Sequence, residues 1–184
     1  MINLKTIIIR GKLEESIHEV KCLIKDTNYK TLLTTNNNKD LIYPRSAIKI
    51  FQSLPFVLSG ALEKFNLNNK IVAISCSSHC GESQHINVLN NWIKKISISI
   101  NNLKCGSHNP INNESSNNLL MNGNLPNQLH NNCAGKHLAM ITGCIAYNMS
   151  FDDYLKFNHP YQKLIRDSLE YFMGYKIKKK MYWN

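Results

Sequence analysis

Residues 70–76 (KIVAISC) form a near-continuous apolar run that leads straight into Ser77-Ser78-His79-Cys80-Gly81-Glu82. A short apolar run without alternation is the signature of a strand covered on both faces. Such a strand needs helices on either side of its sheet, so the run predicts an α/β fold. Its C-terminal end delivers hydroxyl, thiol, imidazole and carboxylate groups in one cluster. A helix is expected next, with Ile86, Leu89, Ile93 and Ile96 at helical spacing and Trp92 alongside. Sites gather where buried strands run into helix starts. The plainer reading makes Ser83 a helix cap and Glu82 a first-turn charge.

A second stretch carries its own chemistry. In Pro44-Arg45-Ser46-Ala47-Ile48-Lys49 a serine and a lysine stand three residues apart. On a helix that spacing puts them on one face, one turn from each other. A serine hydroxyl is a weak nucleophile until an adjacent base takes its proton. Lysine can serve when burial or a second cation favours its neutral form, and Arg45 supplies a neighbouring positive charge. The alternative is an ordinary helix start followed by a solvated lysine.

The rest of the chain fills in around these stretches. Residues 4–10, 19–25 and 31–35 read as strands of an antiparallel sheet edge, with Asn36-Asn37-Asn38-Lys39-Asp40 as a hairpin tip. The Ser46 helix is expected to break or kink at Pro55, with a second helical piece from Pro55 to Phe65. Residues 103–110 suggest a short strand running into a turn, and residues 111–128 an asparagine-rich loop apart from Leu119-Leu120-Met121. Then comes His130-Asn131-Asn132-Cys133-Ala134-Gly135-Lys136-His137, which opens an apolar helix and places Cys133 at its N-terminus. Helix N-termini favour thiolates, the form that binds borderline metals. Ser150-Phe151-Asp152-Asp153 resembles a capping box, and His159-Pro160 begins a last helix that stops at Gly174.

Composition removes several classes. The chain has 184 residues, 43% of them hydrophobic, enough for one domain with a sizeable core. Its formal net charge of +10 comes from scattered lysines, with one dense run, Lys176-Ile177-Lys178-Lys179-Lys180, so nucleic-acid binding is not the expected role. No window approaches the ~20 apolar residues of a membrane span. The N-terminus carries no signal-peptide pattern, and the six cysteines contain no Cys-x-x-Cys pair. A cytoplasmic location, with the cysteines buried, reactive or metal-bound, is the expectation.

Four blocks in this order resemble the asparaginase II family of the rhizobial, zinc-binding type. They are Arg45-Ser46-Ala47-Ile48-Lys49; Ser75-Cys76-Ser77-Ser78-His79-Cys80-Gly81-Glu82; Cys105-Gly106-Ser107-His108; and His130-Asn131-Asn132-Cys133-Ala134-Gly135-Lys136-His137. The resemblance implies an amidohydrolase that converts L-asparagine to L-aspartate and ammonia. The fold it implies is similar to serine β-lactamases and penicillin-binding proteins, an antiparallel or mixed sheet with packed helices. It further implies Ser46, Lys49 and Ser78 as catalytic residues, through a serine acyl-enzyme assisted by lysine. Arg45, Glu82 and His137 would be substrate-binding. Cys133 and Lys136 would be ligands of zinc, and the assembly a homodimer. Of the two serines, Ser46 is the preferred nucleophile because Lys49 is one turn away.

The resemblance also carries a departure. Relatives continue past the counterpart of Asn184 into blocks that supply an aspartate and a further cysteine to the metal site, and a lysine to the second serine. Cys133 and Lys136 alone are fewer than the three protein ligands of a catalytic zinc. The expectation is therefore one domain over residues 1–184, incomplete at its C-terminus. Residues 1–44 would be N-terminal strands, and 45–184 the catalytic motifs and helices. Two alternatives stay open: an inactive fragment or partner-dependent half of such an enzyme, and a Ser-x-x-Lys acyl hydrolase of β-lactamase type.

Overall fold

A computed structural model describes residues 2–36 and 42–177. The expected hairpin tip beyond Asn36, most of the basic run at 176–180 and the closing Tyr182-Trp183-Asn184 lie outside the described residues. By its internal contacts the chain divides into two compact units, Met1–Pro44 and Arg45–Asn184.

The first unit holds two small antiparallel sheets. Strand β1 (Leu4–Arg10) pairs with β2 (Leu13–Val20), and β3 (Leu23–Lys25) pairs with β4 (Thr31–Thr34). Gly11, at φ +64°, makes the tight connection between β1 and β2, where a positive φ suits the twist of the flanking strands. The single strand expected over 19–25 is in fact the end of β2 and all of β3. Between them the Cys22 N–H goes to the Thr35 hydroxyl at 2.9 Å. Asp26 closes the β3–β4 turn, its carboxylate accepting the N–H groups of Asn28 and Lys30, each at 2.9 Å.

The second unit is helical. Its seven α-helices are α1 (Lys49–Leu58), α2 (Ala61–Lys64), α3 (Asn69–Cys76), α4 (Ser83–Ile96), α5 (Asn113–Met121), α6 (Ala134–Ala146) and α7 (Pro160–Met173). The protein is thus α/β, with small antiparallel sheets and seven α-helices among the described residues.

Several expectations are corrected. Residues 70–76 are not a strand: they form α3. The Asn68 side chain accepts the Lys70 N–H and starts the helix, and Ile71, Ile74 and Ser75 fall on one buried face at helical spacing. Periodicity cannot separate a short buried helix from a buried strand, and here the cap decided. The helix does not break at Pro55 either. Helix α1 runs through it to Leu58, and a new short helix starts only after Gly60. Residues 103–110 form no strand, because the Lys104 N–H is taken by the Tyr154 hydroxyl rather than by a ladder. Ser150 caps only a turn: its hydroxyl accepts the Asp152 N–H at 3.0 Å, and no α-helix begins there. The last helix does begin at Pro160, capped by His159, and ends at Gly174 with φ +71°.

Helix α6 is the centre of this unit. Ten of its residues are buried, and α1, α2, α3, α4 and α7 all pack on it. Two glycines make that possible. Gly135 lets the α6 backbone press on the Ile74 carbonyl of α3, and Gly143 makes room for the buried ring of Tyr161 from α7. Phe56 and Trp92, both fully buried, stack with centroids 5.3 Å apart. No helix among the described residues is long and apolar enough to cross a membrane.

Candidate active site

The ends of α1, α3 and α6 meet where the sequence concentrates its reactive side chains. Lys49 opens α1 and is 2% exposed. Its side-chain nitrogen Nζ lies 2.6 Å from the Ser78 Oγ and 2.7 Å from the Ser77 carbonyl oxygen, just beyond the end of α3. A lysine so buried must have its hydrogen bonds met by protein, and these two do so. One turn further along α1, the buried Ser53 hydroxyl donates to the Ser75 carbonyl at 3.2 Å, fixing the same two helices together.

Ser46 is placed differently. It is exposed, in the 3-10 turn Arg45–Ile48 that leads into α1. Among the described residues no hydrogen bond joins it to Lys49. The spacing of the two is as read from sequence, but the lysine reaches across to the other serine. Arg45 is also exposed, with φ +52°, a conformation uncommon for a residue other than glycine. Glu82 is the N-cap residue of α4, in place of the expected Ser83. It uses its carboxylate to accept the Gln84 side-chain amide at 2.8 Å rather than any helix N–H.

Beside Ser78 sits His79, 3% exposed. Its Nδ1 accepts the Gly81 N–H at 3.2 Å, so the neutral ring carries its proton on Nε2, which is sealed without a partner. Burial pushes its pKa down to about 4, helped by His85, Lys49 and His108 and opposed by the Asn131 backbone. The ring is therefore neutral at physiological pH. His85 packs against it with centroids 5.4 Å apart.

The opening of α6 forms the other wall. Cys133 is its N-cap residue, and Lys136 and His137 lie in the first turn. A single side chain, Asn131, ties this turn to the preceding segment. Its Oδ1 accepts the Cys133 N–H and its Nδ2 donates to the Cys105 carbonyl, both at 2.8 Å. His108 adds a second tie: its Nδ1 lies 2.6 Å from the Asn109 carbonyl, and its Nε2 accepts the Asn132 N–H at 3.1 Å. Burial lowers the pKa of Lys136, as does Lys49, while Cys133 and Cys105 oppose the shift. Burial likewise raises the Cys105 thiol to about 11, with Cys133 adding to the rise. His137, 6% exposed, meets the Tyr154 hydroxyl at 2.6 Å. Burial, Lys136 and Lys49 bring its pKa down to about 3.

The residues read from sequence thus fall into two groups. Lys49 and Ser78 touch; Cys133, Lys136 and His137 share one helical turn, in which the charge of Lys49 helps to lower the pKa of Lys136 and of His137. Among the described residues, Ser46, Arg45 and Glu82 make no hydrogen bond to either group. Nothing in the order of residues points to Tyr154 or to the double role of Asn131. A tyrosine in an irregular segment carries no pattern, and the asparagine is one of a great many in this chain.

A hydroxyl bonded to a buried lysine, beside a turn carrying a thiol, an amine and an imidazole, is an arrangement suited to acyl transfer from an amide. The family model for L-asparaginase II matches residues 7–182, and the chain belongs to that family. No curated protein matches it.

Proposed function

We propose that this protein hydrolyses L-asparagine to L-aspartate and ammonia through an acyl-enzyme on Ser78. The observation that carries the reading is the 2.6 Å contact between the Ser78 hydroxyl and the buried Lys49 amine, in a member of this family. In the first step the Ser78 oxygen attacks the side-chain amide carbon while its proton passes to Lys49. The carbon–nitrogen bond then breaks, and the nitrogen leaves as ammonia with the proton that Lys49 returns. Water, deprotonated by the same amine, releases aspartate and restores the hydroxyl. Ser46, exposed on the turn before Lys49, is assigned to the substrate side of the site together with Arg45 and Glu82. The architecture attached to this reading is that of the serine β-lactamases.

Ammonia release from L-asparagine tests the assignment. The unmodified chain should release it, Ser78→Ala should fall to background, and Ser46→Ala should keep a measurable part. Full loss in Ser46→Ala with activity retained in Ser78→Ala would move the nucleophile to Ser46.

Zinc belongs to the same proposal. Cys133 and Lys136 lie one turn apart at the start of α6, and burial favours the neutral amine that a metal needs. Among the described residues no cluster of three His, Cys, Asp or Glu side chains suits a metal, and Cys133 with Lys136 supplies two donors, one fewer than the three protein ligands of a catalytic zinc. A zinc held there would act as a Lewis acid toward a substrate oxygen. Metal analysis should find zinc bound to the purified protein and missing from Cys133→Ser; equal, near-zero contents in both would end the zinc assignment.

A further inference from the structure

The hydroxyl of Tyr154 has two partners, and their chemistry fixes the direction of both bonds. Tyr154 is fully buried. Its Oη receives the Lys104 N–H at 2.9 Å and lies 2.6 Å from Nδ1 of His137, with the two rings meeting edge-on. A backbone N–H can only donate, so the oxygen accepts on that side. A phenol has one proton to give. Were His137 to donate from Nδ1 as well, the phenolic proton would be sealed away without an acceptor, which buried polar groups avoid. The proton therefore goes to Nδ1, and the imidazole carries its own proton on Nε2. That nitrogen hydrogen-bonds to no described residue, yet it is not among the sealed atoms, unlike Nε2 of His79 and Nδ1 of His85.

We propose that Tyr154 is a positioning residue, whose hydroxyl fixes His137 in the tautomer that offers Nε2–H as a donor to an acceptor oxygen of the substrate. The acceptor class is a carboxylate or amide carbonyl oxygen. Its identity rests on the amidohydrolase reading above; the tautomer does not.

The ring ¹⁵N spectrum of histidine-labelled, ligand-free protein at neutral pH decides the tautomer, with His137→Gln used for assignment. The expected result is a protonated Nε2 and an unprotonated, hydrogen-bonded Nδ1. In Tyr154→Phe the Nδ1 signal should lose its hydrogen-bond shift and the ring should move toward the other tautomer. The KM for L-asparagine should then rise about two- to tenfold, the worth of one ordinary hydrogen bond, with kcat little changed. A protonated Nδ1 in the unmodified protein overturns the proposal, and needs no variant to do so. So does a Tyr154→Phe ring spectrum identical to the parent, or an unchanged KM once the tautomer has shifted. A parent protein that shows no turnover counts against the amidohydrolase reading alone, because the spectrum is recorded without substrate.

Discussion

Lys49→Met should lower ammonia release from L-asparagine by about 10²–10⁴-fold, the usual contribution of one positioned proton acceptor. Methionine keeps the length and apolar stem of lysine and tolerates irregular surroundings, so the start of α1 should remain packed. What disappears is the amine that holds the Ser78 hydroxyl and the Ser77 carbonyl. Lys49→Arg should not rescue the activity, because a guanidinium stays protonated and cannot accept the serine proton. Circular dichroism and a thermal melt of each variant separate lost chemistry from lost fold. Activity in folded Lys49→Met within tenfold of the parent would remove Lys49 from the mechanism.

Gly135→Ala is expected to cause the largest loss of stability among conservative single changes at the site. A Cβ at this position would lie 2.7 Å from the Ile74 carbonyl carbon and nearer still to its oxygen. Both atoms belong to the backbone of α3, so no side chain can swing away. Alanine brings back about 1 kcal/mol of helix propensity. Overpacking of a close helix contact costs about 3 kcal/mol or more where nothing can yield. A net loss of about 2 kcal/mol corresponds to a fall of about 4–8 °C in Tm for a chain of this size. A melting temperature equal to or above the parent would show that α3 and α6 can separate freely. Because α3 leads to Ser78 and α6 begins at Cys133, the same variant should also weaken activity by moving the two walls apart.

The two effects show what could be read from sequence and what could not. Polar and reactive residues in short blocks, such as Ser77 to Glu82 and Asn131 to His137, mark a site whether their flanks are strands or helices. That is why the location of the site did not depend on the error over residues 70–76. The apolar run there satisfies a buried helix as well as a buried strand, and only the Asn68 cap distinguishes them. Pairing across the chain is another matter. Ser46 and Lys49 are neighbours by helical geometry alone, whereas the bond between Lys49 and Ser78 spans 29 residues and depends on how α1 crosses α3. Tyr154 is harder still to foresee: its role comes from one oxygen reached by a backbone N–H 50 residues away and by a ring on α6. Strand β1 was legible from its β-branched residues, and β4 lies where a strand was expected, but residues 13–18 of β2 were not foreseen. The division between β2 and β3 at Cys22 was not legible either, because it turns on the Thr35 hydroxyl.

Helix α6 is enclosed by five other helices, and its first turn carries Cys133, Lys136 and His137. Such a helix has no room to swing, so a substrate cannot be admitted by displacing it. Gating would fall instead to the connecting segments: the stretch between α3 and α4, and the chain from Cys105 to Asn131, which is irregular on either side of α5. The Asn131 amide clasps both ends of the latter. Entry and exit would then be governed by loop opening around a fixed floor, which places any slow conformational step of turnover in those loops and leaves the reacting groups preset.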